Sequence, residues 1–153
     1  MKNKKSIWST IILIVVLVTL VLLVISVVST VMDLPNVEAA VRAEADKQGV
    51  NDEAAIVLAI GLAQGAIIAG LVIGSIFDVL KIIGGLLFSL KGKWGMFCIV
   101  VSILGVIGSG YSLYSYIQNK AGVGTIVIAV VSLLLSLLYC VACFMHRKEN
   151  KEA

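Results

Sequence analysis

The chain has 153 residues, of which 60% are hydrophobic and only 14% are charged. Soluble domains contain about 45–50% apolar and about 25% charged residues, so the composition excludes a soluble enzyme, a disordered chain and a disulfide scaffold. The net charge of +3 is too small to indicate nucleic-acid binding. What remains is an all-α polytopic membrane protein of one domain, whose surroundings are the lipid bilayer.

Four segments without any charged residue follow one another along the chain. Each exceeds the about 20 residues that cross a bilayer core as a helix. Their apolar runs are continuous rather than alternating, which favours helices over barrel strands. The sequence therefore predicts a single bundle of four transmembrane helices over 1–153, with an outer helical loop at 33–53 and with spans at about 7–32, 54–77 (extending toward 83), 94–118 and 121–145.

The positions of Lys and Arg predict the orientation, because cytoplasmic loops carry an excess of both. The two ends and the loop between the second and third spans contain most of them, and the other side contains only three, namely Arg42, Lys47 and Lys120. We therefore expect a multi-pass protein of the cell membrane with both termini cytoplasmic and the loop 33–53 extracytoplasmic. A cleaved signal peptide is the alternative for the first span, but this apolar run is longer than a typical h-region and no A-x-A site follows it.

The outer loop predicts a short helix of its own. Asp33-Leu34-Pro35-Asn36 is a typical helix start, 37–48 is rich in alanine, and Gly49 is a natural stop. Asn51 is the predicted cap of the second span. The loop is interpreted as a connector between two spans, with an acidic docking face for a partner as the alternative.

The segment after the second span remains apolar as far as Leu90. A single helix from Ala54 to Leu90 would be about 55 Å long, which is too long for the bilayer core, and Gly84-Gly85 is the predicted break. Asp78 and Lys81 are then expected to pair near the inner interface. No ionisable residue is expected in the middle of any span, which counts against ion-coupled transport.

Small residues four apart, which let helices approach closely in lipid, occur in three spans. They predict that the second span is central, against the third and fourth, and that the first is more lipid-exposed. An oligomer interface is the alternative. Gln64 is expected to form an interhelical hydrogen bond, with a pore contact as the alternative. The predicted packing residues are Gly61, Gly65, Gly70, Gly74, Gln64, Gly105, Ser109, Ser132 and Ser136.

Cys98, Cys140, Cys143 and His146 form the single group that suggests chemistry. Thiols and an imidazole are zinc ligands, but cysteine is also a common apolar residue in membrane helices, so packing is the preferred interpretation and metal binding or redox work the alternative. No nucleophile elbow, HExxH, Walker A or Rossmann pattern occurs. The sequence predicts no catalytic residue, no metal and no cofactor.

The layout resembles claudin-like, MARVEL-like and tetraspanin-like proteins in topology only. Since the outer loop has neither cysteine nor tryptophan, no functional residue is transferred from them. Two functions remain open. The first is a non-catalytic interaction protein (an accessory subunit, an immunity-type protein or a membrane organiser) whose partner is another membrane protein or a second copy. The alternative is a homo-oligomeric pore or carrier for a small neutral or apolar solute.

Overall fold

The computed structural model describes residues 6–118, 120 and 122–152. Over this part the chain is all-α, with four helices that are each long and apolar enough to cross a membrane. This confirms the all-α class and the four long apolar helices that the sequence predicts. The helices are α1 (Ile7–Lys47), α2 (Glu53–Lys91), α3 (Gly95–Gln118) and α4 (Val123–Glu152).

The first span and the outer helix are one continuous helix, so the predicted helix start at Asp33–Asn36 is wrong. α1 runs for 41 residues and includes Pro35. Proline lacks an N–H and leaves the carbonyl four residues earlier, that of Val31, without its usual partner. The helix continues because 37–47 is rich in helix-forming residues and contains two ion pairs, Glu38–Arg42 at 3.2 Å and Glu44–Lys47 at 3.8 Å.

In the turn between α1 and α2, the predicted glycine, Gly49, stops α1, but the residue that caps α2 differs from the predicted one. Gly49 has a positive φ of 69°, and the amide of Val50 donates to the carbonyl of Ala45 at 2.9 Å, which is the geometry of a glycine C-cap. At the start of α2, the side chain of Asp52 accepts from the amide of Ala54 at 3.0 Å. Asp52 therefore caps α2, and the prediction of Asn51 was one residue too early.

α2 is also continuous, and Gly84-Gly85 does not break it. These glycines instead permit close packing. A Cβ atom placed on Gly85 would lie 2.6 Å from Cγ2 of Val16 and 3.0 Å from the hydroxyl oxygen of Tyr139. A Cβ atom on Gly84 would lie 3.0 Å from the ring of Phe97. The missing side chains thus let α1, α3 and α4 approach this part of α2.

The chain forms two compact units. The described residues up to Leu20 and from Phe77 onward make one, called here the four-helix unit, and Val21–Ile76 makes the other, called here the helical hairpin. In the hairpin, Ile56 and Ile60 are the buried side chains of α2, and Arg42 of α1 donates to the carboxylate of Glu53 at 3.0 Å.

The core of the four-helix unit contains side chains from all four helices. Its first helix is not the lipid-exposed one that the sequence predicted, since Ile12, Val15 and Val16 are at most 4% exposed. The β-branched side chains of α1 pack where the glycines of α2 leave room. The core comprises Ile12, Val15, Val16, Phe88, Cys98, Ile99, Tyr139, Ala142 and Cys143.

Large apolar side chains cover the outside of the described helices. Leu58 is 65% exposed, Ile107 63% and Leu134 60%. This apolar surface is far larger than the apolar patches that soluble monomers expose to water. It is the surface that a multi-pass protein presents to lipid.

Candidate functional site

Two polar contacts join α2 to α4 inside the four-helix unit. The Tyr139 hydroxyl donates to the carbonyl oxygen of Lys81 at 3.1 Å, and the Lys81 ammonium lies 4.9 Å from the centre of the Tyr139 ring. A cation over the face of an aromatic ring is attracted by its quadrupole. Seven residues further along both helices, the rings of Phe88 and His146 meet edge to face at 4.7 Å. The two helices therefore run in the same direction and in register.

Asp78 belongs to the same cluster. It lies one helical turn before Lys81, and the two charges attract each other. Both side chains are half-buried. α2 continues for thirteen residues beyond Asp78, and the placement of the pair near the inner interface stays a prediction. The sequence did not identify Tyr139 as a contact of Lys81. The available signal was that the apolar pattern of α2 resumes after Lys81, which indicates that the helix continues and packs there.

The cysteine group divides in the structure. The thiols of Cys98 and Cys143 are buried in the same core cluster as Tyr139. Cys140 is only half-buried, and all three thiols are free. Over the described part of the chain, no three His, Cys, Asp or Glu side chains come together in a group that could hold a metal ion.

His146 lies at the end of this unit instead, 5% exposed. Its Nε2 lies 3.3 Å from the carbonyl oxygen of Phe88 and 3.4 Å from the side-chain amide nitrogen of Asn150. It donates to the carbonyl when it carries the proton and accepts from the amide when it does not. Its Nδ1 is buried without a hydrogen-bond partner among the described residues and lies 4.0 Å from the carboxylate of Glu149. That carboxylate accepts from the hydroxyl of Ser6. His146 and Glu149 together thus link this end of α4 to α2 and to the residue that precedes α1.

A second contact at this end joins α1 and α2. The hydroxyl of Ser9 is 2.7 Å from that of Ser89 and 2.9 Å from the Ser89 carbonyl oxygen. Ser89 in turn donates to the carbonyl oxygen of Ser9 at 3.0 Å. Two small hydroxyl residues therefore satisfy each other where α1 and α2 cross.

The α3–α4 hairpin contains a pocket of about 270 Å³, and five of its seven lining residues carry a hydroxyl group. Ser109 of this lining pairs with Ser136, and their hydroxyl oxygens lie 3.2 Å apart. A polar pocket in an otherwise apolar surface offers hydrogen bonds to a small solute or to water. The lining residues are Ser109, Ser112, Tyr116, Thr125, Ile128, Ala129 and Ser132.

In the helical hairpin, Gln64 donates to the backbone carbonyl oxygen of Leu34 at 3.2 Å. The acceptor directly precedes Pro35, so the amide joins the two helices beside the proline. A small cavity of about 260 Å³ lies nearer the turn, between Val41 and Ile56.

The glycines of α2 do not form one flat face. At 3.6 residues per turn, Gly70 and Gly74 lie on the side opposite Gly61 and Gly65. A Cβ atom on any of these four, or on Gly105 of α3, would have no neighbouring atom within 4 Å. The packing of these five glycines against another helix therefore stays a prediction.

Comparisons with known proteins found no match. The chain matches no protein-family model, no curated protein and no solved structure.

Proposed function

We propose that the chain is a non-catalytic integral membrane protein that acts by helix–helix association with another membrane protein. The observation that supports this is the Gly61–Gly65 face of α2. Gly61 and Gly65 are four apart and unfilled, and the neighbouring Leu58 and Leu62 are 65% and 66% exposed. Without a hydrophobic drive between helices in lipid, association depends on close backbone contact, which such a face provides. Accessory subunits, immunity-type proteins and membrane organisers all act in this way.

The test is the mass of the protein extracted with its native lipids into nanodiscs. We expect a species larger than one chain, containing either a second copy or another protein at fixed stoichiometry. Gly61→Leu and Gly65→Leu should remove it, since a leucine at either position holds the partner backbone away. Gly110→Leu is the matched control, because Gly110 is also unfilled but has no small residue four positions before or after it.

Two results would count against the proposal. One is a wild-type protein that is monomeric in native lipids. The other is a complex that survives both leucine variants as well as it survives Gly110→Leu.

The hydroxyl-lined α3–α4 pocket favours a second candidate function, a homo-oligomeric pore or carrier for a small neutral solute. Its serine and threonine hydroxyls would replace the hydrogen bonds that such a solute makes with water. A symmetric homo-oligomer that passes the solute into liposomes would favour this candidate over association with a different protein.

A further inference from the structure

The hydroxyl-lined pocket of the α3–α4 hairpin contains side chains whose hydrogen-bonding capacity the chain itself does not use. One of its five hydroxyl groups, that of Ser109, is paired with a neighbouring serine. The other four form no hydrogen bond with any residue that the structure describes, and they belong to Ser112, Tyr116, Thr125 and Ser132. Four unused hydroxyl groups therefore lie around one cavity.

Hydroxyl groups elsewhere in the helices bond back to their own backbone. Thr19 of α1 donates to the carbonyl oxygen of Val15 at 2.8 Å, and Ser102 of α3 donates to that of Ile99 at 2.7 Å. A bond to the preceding turn is a common way to satisfy a serine or threonine within a helix. Over the described part of the chain the four pocket hydroxyls make no such bond, so they stay available to another molecule.

The surface around this pocket is apolar. Ile128 lines the pocket and is exposed, as are Ile107 of α3 and Val127 of α4. Lipid tails offer a hydroxyl group no hydrogen bond, and an unpaired hydroxyl in apolar surroundings is costly. The four groups therefore need a polar occupant of the pocket.

The lining also defines the chemistry of that occupant. None of the seven lining residues is charged, so a phosphate or an ammonium group would leave water without gaining a counter-charge. A hydrocarbon would leave the hydroxyl groups unpaired. Because hydroxyl groups both donate and accept, their best complement is a neutral molecule that carries several hydroxyl groups.

The volume limits the size of the part that enters. The pocket measures about 270 Å³, which is below the about 300–1,000 Å³ of pockets that enclose drug-sized ligands. It is about nine times the volume of about 30 Å³ that one water molecule occupies in the liquid. A three-carbon polyol fits this space, and a whole lipid does not.

We propose that the pocket binds a neutral polyol of the size of glycerol, through hydroxyl groups of Ser112, Thr125 and Ser132. The polyol is either free in water or the headgroup of a monoacylglycerol, since both present the same hydroxyl groups. The inference deepens the second candidate function, on whose pocket it rests, by naming the ligand class. Binding to a single chain requires neither an oligomer nor transport.

Two probes test the pocket on the full-length protein in phosphatidylcholine nanodiscs. Saturation-transfer NMR detects glycerol added to the water, and native mass spectrometry counts monooleoylglycerol added to the lipid, with empty nanodiscs as background. We expect saturable binding of one probe at one molecule per chain, and the probe that binds identifies the source. Glycerol phosphate, which adds a charge, and methyl oleate, which lacks the hydroxyl groups, should not compete with it.

Variants locate the binding. Thr125→Val removes one pocket hydroxyl at nearly unchanged shape, and Ser132→Ala removes a second. The double variant should bind the probe at least about tenfold more weakly, because each lost hydrogen bond lowers a binding constant several-fold. Thr19→Val is the matched control, since the Thr19 hydroxyl is bonded within its own helix and lies outside the pocket lining.

Three results would overturn the proposal: no saturable binding of either probe, equal binding by the double variant and Thr19→Val, or equally tight binding of glycerol phosphate. A protein that associates in native nanodiscs but binds no polyol would refute this site alone and leave helix association untouched. The two proposals can therefore fail separately.

Discussion

At the scale of single residues, the buried thiols are best explained by packing. Cys98 and Cys143 have no solvent exposure and occupy the core beside Tyr139. A buried cysteine behaves as a small apolar residue with a weak donor. In the core they neighbour each other, the phenol of Tyr139 and apolar side chains.

This leads to a prediction for the triple variant Cys98→Ala, Cys140→Ala and Cys143→Ala. We expect it to fold and to keep its native association, with a modest loss of thermal stability from the small cavities at the two buried positions. Metal analysis of anaerobically purified wild-type protein should find no stoichiometric zinc or iron. Near-equimolar metal that disappears in the variant would instead identify these residues as ligands.

The residues around Lys81 show where sequence reasoning stops. Counting charge-free windows ended the second span at Phe77, one residue before Asp78. Such a window cannot detect that the Lys81 ammonium packs on the ring of Tyr139, which lies 58 residues later in another helix. That contact depends on the register of α2 and α4, which is set by tertiary packing.

At the scale of helices, the sequence predicted that four helices exist and in which order they occur, but not where each helix begins and ends. Long apolar runs have few alternatives to helix in lipid, so all four helices were expected. The continuation of α1 past Pro35 and of α2 past Gly84-Gly85 was not expected. Proline and glycine break a helix only when neighbouring contacts do not compensate for them. Ion pairs compensate at the first site and close packing at the second.

The close packing predicts a specific difference between two glycines of α2. Gly85→Ala should destabilise the protein by about 1–3 kcal/mol, the usual cost of overpacking, because the new Cβ would lie 2.6 Å from Val16. Gly74→Ala is the matched control in the same helix, with nothing within 4 Å, and should be neutral or slightly stabilising.

Thermal retention of the monodisperse peak in mild detergent measures this difference. Val16→Ala should partly rescue Gly85→Ala, since it removes the methyl groups that the new Cβ meets. Equal stability of Gly85→Ala and Gly74→Ala would show that the glycine contact does not hold α1 against α2.

At the scale of the whole molecule, the distribution of positive charge predicts the sidedness. Both ends of the chain carry clusters of Lys and Arg, whereas the segment 33–53 has two basic and six acidic residues. Basic residues stay on the cytoplasmic side. We therefore propose that both termini are cytoplasmic.

The prediction is an accessibility pattern on intact cells. In the cysteine-free chain, Asp46→Cys and Lys120→Cys should react with an impermeant maleimide, while Asn3→Cys and Asn150→Cys should react only after permeabilisation. Labelling of the two terminal positions on intact cells, with protection of the other two, would reverse the orientation.

The 58-residue separation between Lys81 and Tyr139 also has a consequence during biosynthesis. At about 5–20 residues per second, a ribosome needs on the order of 3–12 s to reach Tyr139 after completing Lys81. During that interval α2 has been synthesised, but the Tyr139 ring on which the Lys81 ammonium packs has not. We therefore expect this lysine to stay in contact with water until α4 emerges and supplies the ring, so that the packing of α2 is completed only with the last helix.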